Sequence, residues 1–167
     1  MQDNSKEVAL AYVAGILDGE GAIFITHDYF QNKNPVHRLV VRIGMIDRRA
    51  LDFIVDTVGF GKVVQEPSYE YKRRMFRLTY SNREDVKNFL DLVVPYLKIK
   101  KEQANLGYDF LINGVGKRGH WLSEEEVSRR RSYYERMCLL NGIATPATTE
   151  RTGKRGRRKS VRLEATV

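Results

Sequence analysis

Tyr12-Val13-Ala14-Gly15-Ile16-Leu17-Asp18-Gly19-Glu20-Gly21-Ala22-Ile23 is the stretch on which the fold of this chain turns. Its apolar residues suit the last turns of a helix, which end in a carboxylate between two glycines and pass into a strand. Ala11, Gly15 and Gly19 recur every four residues, so three very small side chains share one helical stripe. A glycine inside a helix costs roughly 1 kcal/mol relative to alanine. Gly15 therefore implies a compensating gain, and close approach of another helix backbone would supply it. Glu20 stands at the helix exit, where the macrodipole disfavours an anion by roughly 0.3–1 kcal/mol. If a second copy of the helix packs against the first, two such carboxylates meet and repel. A divalent cation would turn that repulsion into a binding site. Taken alone, a G-x-G after a helix reads more simply as a glycine cap beside a solvated acid.

Composition bounds the function. A chain of 167 residues is long enough for one domain with a real core. The formal net charge of +8 favours phosphate-rich partners. Much of it lies in the tail, where Arg151, Lys154, Arg155, Arg157, Arg158, Lys159 and Arg162 are opposed only by Glu150 and Glu164. Net charge of the body alone does not suggest DNA; its distribution must. The single cysteine, Cys138, excludes an internal disulfide framework and a cysteine-based zinc site, and its helical spacing with Met137 and Leu140 makes it buried filler. His27, His37 and His120 have no metal-ligand spacing, and His37 faces the Leu39 side of its strand. No run approaches the ~18 apolar residues of a membrane helix. Met1 to Ser5 lack the pattern of a signal or transit peptide, so the protein is expected to work where it is made, in a prokaryotic cytoplasm or an encoding organelle. Neither a membrane nor a small-molecule substrate is expected.

Asn4 and Glu7 resemble a capping box, opening a helix through Leu17. Ala22–Phe30 reads as a strand, Gln31–Pro35 as a turn, and Val36–Ile46 as a second strand. In the latter Leu39, Val41 and Ile43 alternate with Arg38, Val40, Arg42 and Gly44. Asp47 caps a helix carrying Leu51, Ile54, Val55 and Val58, and Gly59 stops it. Gly61–Glu66 and Tyr71–Tyr80 read as a second hairpin, with Arg73, Met75, Arg77 and Thr79 on one face of the return strand. A capping box at Ser81-Asn82-Arg83-Glu84 opens a helix that Pro95 breaks. Further helices are expected from Lys101 to Ile112 and from Ser123 to about Asn141-Gly142. The expected domain is 1–143, and the basic segment 144–167 reads as disordered. No second copy of the 12–23 stretch occurs.

Val13-Ala14-Gly15-Ile16-Leu17-Asp18-Gly19-Glu20-Gly21 fills the nine positions of the motif of the LAGLIDADG homing endonucleases. The resemblance extends over residues 5–112 in element order as well as motif. It implies an α+β fold, the αββαββα homing-endonuclease unit with a saddle-shaped antiparallel sheet, here followed by C-terminal helices. One motif per chain resembles the homodimeric branch, which implies a dimer joined through the 8–19 helix. The segment Pro95-Tyr96-Leu97-Lys98-Ile99-Lys100-Lys101-Glu102-Gln103-Ala104-Asn105 is similar to the one that delivers the family's active-site lysine, and the role passes to Lys100. Glu20 matches the metal-binding acid, which is often Asp. Met45 stands where a polar residue, often Gln, holds solvent, with Asp47 two residues on. Arg48 or Arg49 corresponds to a basic active-site partner, the register between them being open.

The chemistry implied is Mg²⁺-dependent hydrolysis of phosphodiester bonds in both strands of a long, pseudo-palindromic double-stranded DNA site. Glu20 and the carbonyl of Gly19 would offer hard oxygen ligands. Lys100 with an arginine would polarise the phosphate, and water is the nucleophile, since no side chain stands out as general base. Mn²⁺ is an expected substitute, and Ca²⁺ is expected to support binding with little cleavage. Alone, Lys100 reads as well as a solvated lysine. Arg38, Arg42, Arg73 and Arg77 lie on the polar sides of their strands, with Thr26, Asp28 and Thr79 as lesser contacts; a two-stranded ribbon fits the major groove, where arginine grips guanine. The loop Gly114-Val115-Gly116-Lys117-Arg118-Gly119 lacks the context of a nucleotide fold, and Lys117 and Arg118 would meet phosphate there. The absence of splicing residues suggests encoding in an intron. An intron RNA maturase or a non-cleaving DNA-binding regulator on the same fold are the alternatives.

Overall fold

The computed structural model describes residues 4–28, 36–67, 74–114 and 122–143. Helix α1 (Asn4–Glu20) carries apolar residues on two sides. Leu10, Val13, Ala14 and Leu17 form the inward side and are buried, whereas Val8, Ala11, Tyr12, Gly15 and Gly19 line the other and are exposed. The helix runs three residues past Leu17, where the sequence pattern ended it, and strand β1 (Gly21–Asp28) begins with no residue between them. Gly21 permits this junction: a Cβ there would stand 2.8 Å from the carbonyl oxygen of Leu17.

β1 pairs with β2 (Val36–Met45), β2 with β4 (Phe76–Tyr80), and β4 with β3 (Val63–Gln65), all antiparallel, in the order β1-β2-β4-β3. Ile23 lies opposite Val41, Ile25 opposite Leu39 and Ile43 opposite Leu78, and all six are buried under the helices. Strand alternation sends Thr26, Arg38, Arg42, Arg77 and Thr79 to the other face. β2 and β3 are shorter than their sequence patterns, and Arg74 and Met75 precede β4 rather than join it; residues 29–35 and 68–73 lie outside the described ones.

Asp47 caps α2 (Arg48–Val58) by accepting the Arg49 N–H at 3.0 Å, and Gly59 ends it in the left-handed region at φ +86°. Helix α3 (Arg83–Val93) starts on Asn82, whose side chain accepts the Glu84 N–H at 3.1 Å. Asn82, rather than a box opened by Ser81, is thus the cap. Pro95 sits in a short 3₁₀ turn, Val94–Tyr96. Helix α4 (Lys101–Asp109) gives way to a wider π turn, Phe110–Gly114, so the α-helical part stops three residues short of Ile112. Ser123 caps α5 (Glu124–Leu140) through the Glu126 N–H at 3.2 Å, as its sequence suggested. Asn141, just beyond, donates to the Ile23 carbonyl of edge strand β1 at 2.9 Å. Among the described residues no helix is long and apolar enough to cross a membrane. The tail from 144 onward lies outside the described residues.

Leu17, Ile23, Ile43, Leu51, Phe89 and Phe110 are fully buried, each worth about 1.5–3 kcal/mol of transfer free energy. Cys138 is buried, in keeping with its helical spacing. Under α5, His27 Nδ1 and His37 Nε2 lie 2.7 Å apart across the β1–β2 register, with the Tyr134 ring 5.1 Å from His27. One imidazole must accept there, so the pair does not hold two imidazolium ions. Burial foremost, then His27 and Arg130, lower the His37 pKa to about 4. The unfolded chain, with an ordinary histidine pKa near 6.5, binds the proton that the folded chain refuses, so stability is full above that value and declines toward pH 4. The thermal midpoint, followed by circular dichroism, should fall as pH drops from about 6.5 to about 4, and His37→Gln should flatten that slope. Gly21→Ala should cost about 1–3 kcal/mol in chemical denaturation, because the carbonyl it meets belongs to the helix backbone.

Candidate active site

Glu20 is the last residue of α1 and is exposed. Among the described residues it makes no hydrogen bond or ion pair, and the last turn of α1 has no basic residue to offset it. Gly19, beside it, is also exposed, and a Cβ at Gly15 or Gly19 would meet nothing within 4 Å. The glycine stripe is therefore not required by packing among the described residues of the chain. Tyr12 on the same face packs edge-on against Phe53 of α2, with ring centroids 5.4 Å apart, and both remain exposed. Among the described residues no three His, Cys, Asp or Glu side chains converge in metal-holding geometry. Glu20 with the Gly19 carbonyl is a partial donor set of hard oxygens, suited to Mg²⁺ but too small to enclose it.

Lys100 is brought to this end of α1 by contacts eighty residues away in sequence. Its ammonium donates to the Asp18 carbonyl. The Asp18 carboxylate in turn accepts the N–H groups of Lys98 at 2.8 Å, Ile99 at 3.1 Å and Lys100 at 2.9 Å. Burial raises the Asp18 pKa, but the three N–H donors and the Lys100 charge outweigh it and hold the carboxyl below its usual value. Asp18 was visible in the sequence only as a motif letter; nothing local marks its partners.

Asp47, Arg48 and Arg49 form local pairs. Asp47 both caps α2 and grips the Arg49 guanidinium, with Arg49 Nη2 to Asp47 Oδ2 at 2.6 Å, which lowers the Asp47 pKa to about 2. Arg48 pairs with Asp52 one turn on, at 3.1 Å. Each guanidinium thus has a carboxylate from its own neighbourhood. Met45 packs against the core, so its side chain is not on the open sheet face.

On that face Arg38 pairs with Asp28 at 3.0 Å, and Arg77 with Glu66 at 2.7 Å. The bond from Arg38 holds the Asp28 carboxyl below its ordinary pKa. Arg42 lies over the Phe24 ring, 5.1 Å from its centroid. The hydroxyl oxygens of Thr26 and Thr79 are covered by their neighbours. Arg73, Lys117 and Arg118 lie outside the described residues. Glu66 went unnoticed in the sequence because its partner is on the adjacent strand, and only the β3–β4 register brings Val64 opposite Arg77.

No family model matches the chain. It is 31% identical over 101 residues to the DNA endonuclease I-CreI of Chlamydomonas reinhardtii, a match that covers 58% of each protein. The match therefore spans little more than half the length of that relative. The archaeal intron-encoded homing endonuclease I-Vdi141I, solved in complex with DNA, superposes over 95% of this chain and 91% of its own with a TM-score of 0.67 at 15% identity. The homing endonuclease I-CvuI, solved with an I-CreI target in the presence of Mg, covers 90% of this chain and 89% of its own with a TM-score of 0.64 at 18% identity. By its fold the chain groups with the solved homing endonucleases.

It has the LAGLIDADG homing-endonuclease fold, with the αββαββα order that the motif implied. The element order is the one expected from the resemblance. Two of the expected site residues lie at one helix end: Glu20 closes α1, and the Lys100 ammonium donates to the Asp18 carbonyl in its last turn. Arg48, Arg49 and Asp47 sit at the start of α2, following β2.

Proposed function

We propose that this chain is a Mg²⁺-dependent endonuclease that cuts both strands of a long, pseudo-palindromic DNA site as a homodimer. The observation that carries this reading is the free carboxylate of Glu20 at the foot of an exposed small-residue face, in the same helical turn that anchors Lys100. An exposed apolar stripe and a lone acid are both unfavourable in a monomer. A second copy packed along Val8, Tyr12, Gly15 and Gly19 covers the first and adds a second Glu20, completing a donor set that one protomer lacks. The complexes of the neighbours I-Vdi141I and I-CvuI with DNA support the DNA-binding part of this assignment.

Glu20 and the Gly19 carbonyl would hold the cation. Mg²⁺ when bound supplies Lewis-acid neutralisation of the scissile phosphate. The Lys100 ammonium adds a second positive charge at the phosphate, where charge develops in the transition state. Arg38, Arg42 and Arg77 lie across the open sheet face, which the DNA occupies. The carboxylates that hold Arg38 and Arg77 form surface pairs worth about 0.2–1 kcal/mol each, so phosphate or guanine can replace them at small cost.

Glu20→Gln should reduce cleavage of a selected site with Mg²⁺ by at least about 10²–10³-fold while leaving binding in Ca²⁺ close to wild type. Retained cleavage would remove Glu20 from the chemistry. Gly15→Leu should convert the protein to monomer in sedimentation at micromolar concentration without unfolding it, since the protomer has room for the side chain. A monomeric wild type under the same conditions would count against the dimer.

A further inference from the structure

The join between α1 and the segment entering α4 is reciprocal. Asp18 Oδ2 accepts the N–H groups of Lys98 and Ile99, Asp18 Oδ1 accepts that of Lys100, and Lys100 Nζ returns to the Asp18 carbonyl. These donors lie at the entrance of α4, whose N-cap, Lys100, makes no side-chain capping bond. An anion is favoured at that helix end, and a cation at the C-terminal end of α1. Each side chain therefore sits against the helix end that suits its charge, although Lys100 by its own position would suit neither.

At residues 98–100 the described contacts to the rest of the fold are those of Asp18. Leu97 and Ala104 are buried, no side chain from Lys98 to Gln103 joins the core, Ile99 is 71% exposed, and the next tether is Gln103, whose amide donates to the Leu140 carbonyl at 3.2 Å. The backbone from Lys98 to Lys100 takes its register from the Asp18 carboxylate. Both carboxylate oxygens are in use, so an amide in place of the carboxylate sets an NH₂ against a backbone N–H in either orientation.

We propose that Asp18 is the positioning residue for Lys100: by gripping the backbone of residues 98–100 it holds the Lys100 ammonium at the last turn of α1, two residues before Glu20. This rests on the endonuclease reading only for its consequence in catalysis; the placement itself is a structural property. The motif's two acids then have separate tasks. Asp18 is spent on backbone, and Glu20 is left free.

The first test reads placement without activity. Amine acylation followed by mass spectrometry is performed on the full chain, with Lys98 and Lys101 as references. Lys100 should react more slowly than both, and Asp18→Asn should raise its rate roughly tenfold while theirs stay constant. An unchanged Lys100 rate in a folded Asp18→Asn protein would overturn the proposal. Hydrogen exchange on the unmodified protein needs no variant: the amides of Lys98, Ile99 and Lys100 should be protected, and exchange at the rate of an open loop would equally overturn it. The second test is a double-mutant cycle in Mg²⁺. Asp18→Asn should lower kcat with KM unchanged, and should have no further effect in a Lys100→Ala background. An equal loss in both backgrounds would assign Asp18 a general structural role instead. Absence of cleavage by the wild type would defeat the endonuclease reading and leave the labelling and exchange results to decide the placement.

Discussion

The helix-to-strand junction at Gly21 is the constraint on which the rest of the molecule depends. A side chain there would collide with the Leu17 carbonyl, so only glycine lets α1 end and β1 begin on consecutive residues. Without a loop, the direction of β1 is tied to that of α1, and the sheet is set against the helical layer through Ile23, Ile25 and Leu17. The same junction leaves Glu20 on the boundary between the two layers, beside the sheet yet outside the core. A loop of several residues would have released that carboxylate from any defined place.

Two acids two residues apart meet opposite fates at this junction. Asp18 faces the entrance of α4 and is satisfied by three backbone donors, which suits an anion at a helix N-terminus. Glu20 faces the exposed side and is left to whatever approaches. The difference follows from helical geometry, since residues two apart point about 200° apart around the axis. Lys100, drawn in by Asp18, adds positive charge where the α1 dipole is negative. The chain thus satisfies one of these acids and leaves the other exposed, at the end of the face whose glycines its own packing does not require.

The open sheet face shows a comparable economy. Arg38 and Arg77 are held extended by Asp28 and Glu66, and Arg42 by the Phe24 ring. Each contact is weak enough to be exchanged, yet it limits the rotamer freedom of its arginine. The His27–His37 pair stands on the opposite face under α5, where burial keeps it neutral and makes it part of the packing.

Period and punctuation alone determined a large share of this protein. The alternation in Val36–Met45, the Asp47 and Ser123 caps and the Gly59 stop are local, because each depends on hydrogen bonds or side chains within a few residues. The motif's nine letters likewise located Glu20 at a helix exit, since glycine spacing and helix ends are written in adjacent positions. Boundaries were less legible: α1 outran its apolar pattern to Glu20, and Asn82 displaced Ser81 as cap, because neighbours in space decide which of two adjacent candidates is used. The grip of Asp18 on Lys98–Lys100 and the pairing of Arg77 with Glu66 belong to tertiary structure. Each joins groups separated along the chain, and a carboxylate's sequence neighbourhood carries no record of which distant donors the packed core will bring within 3 Å of it.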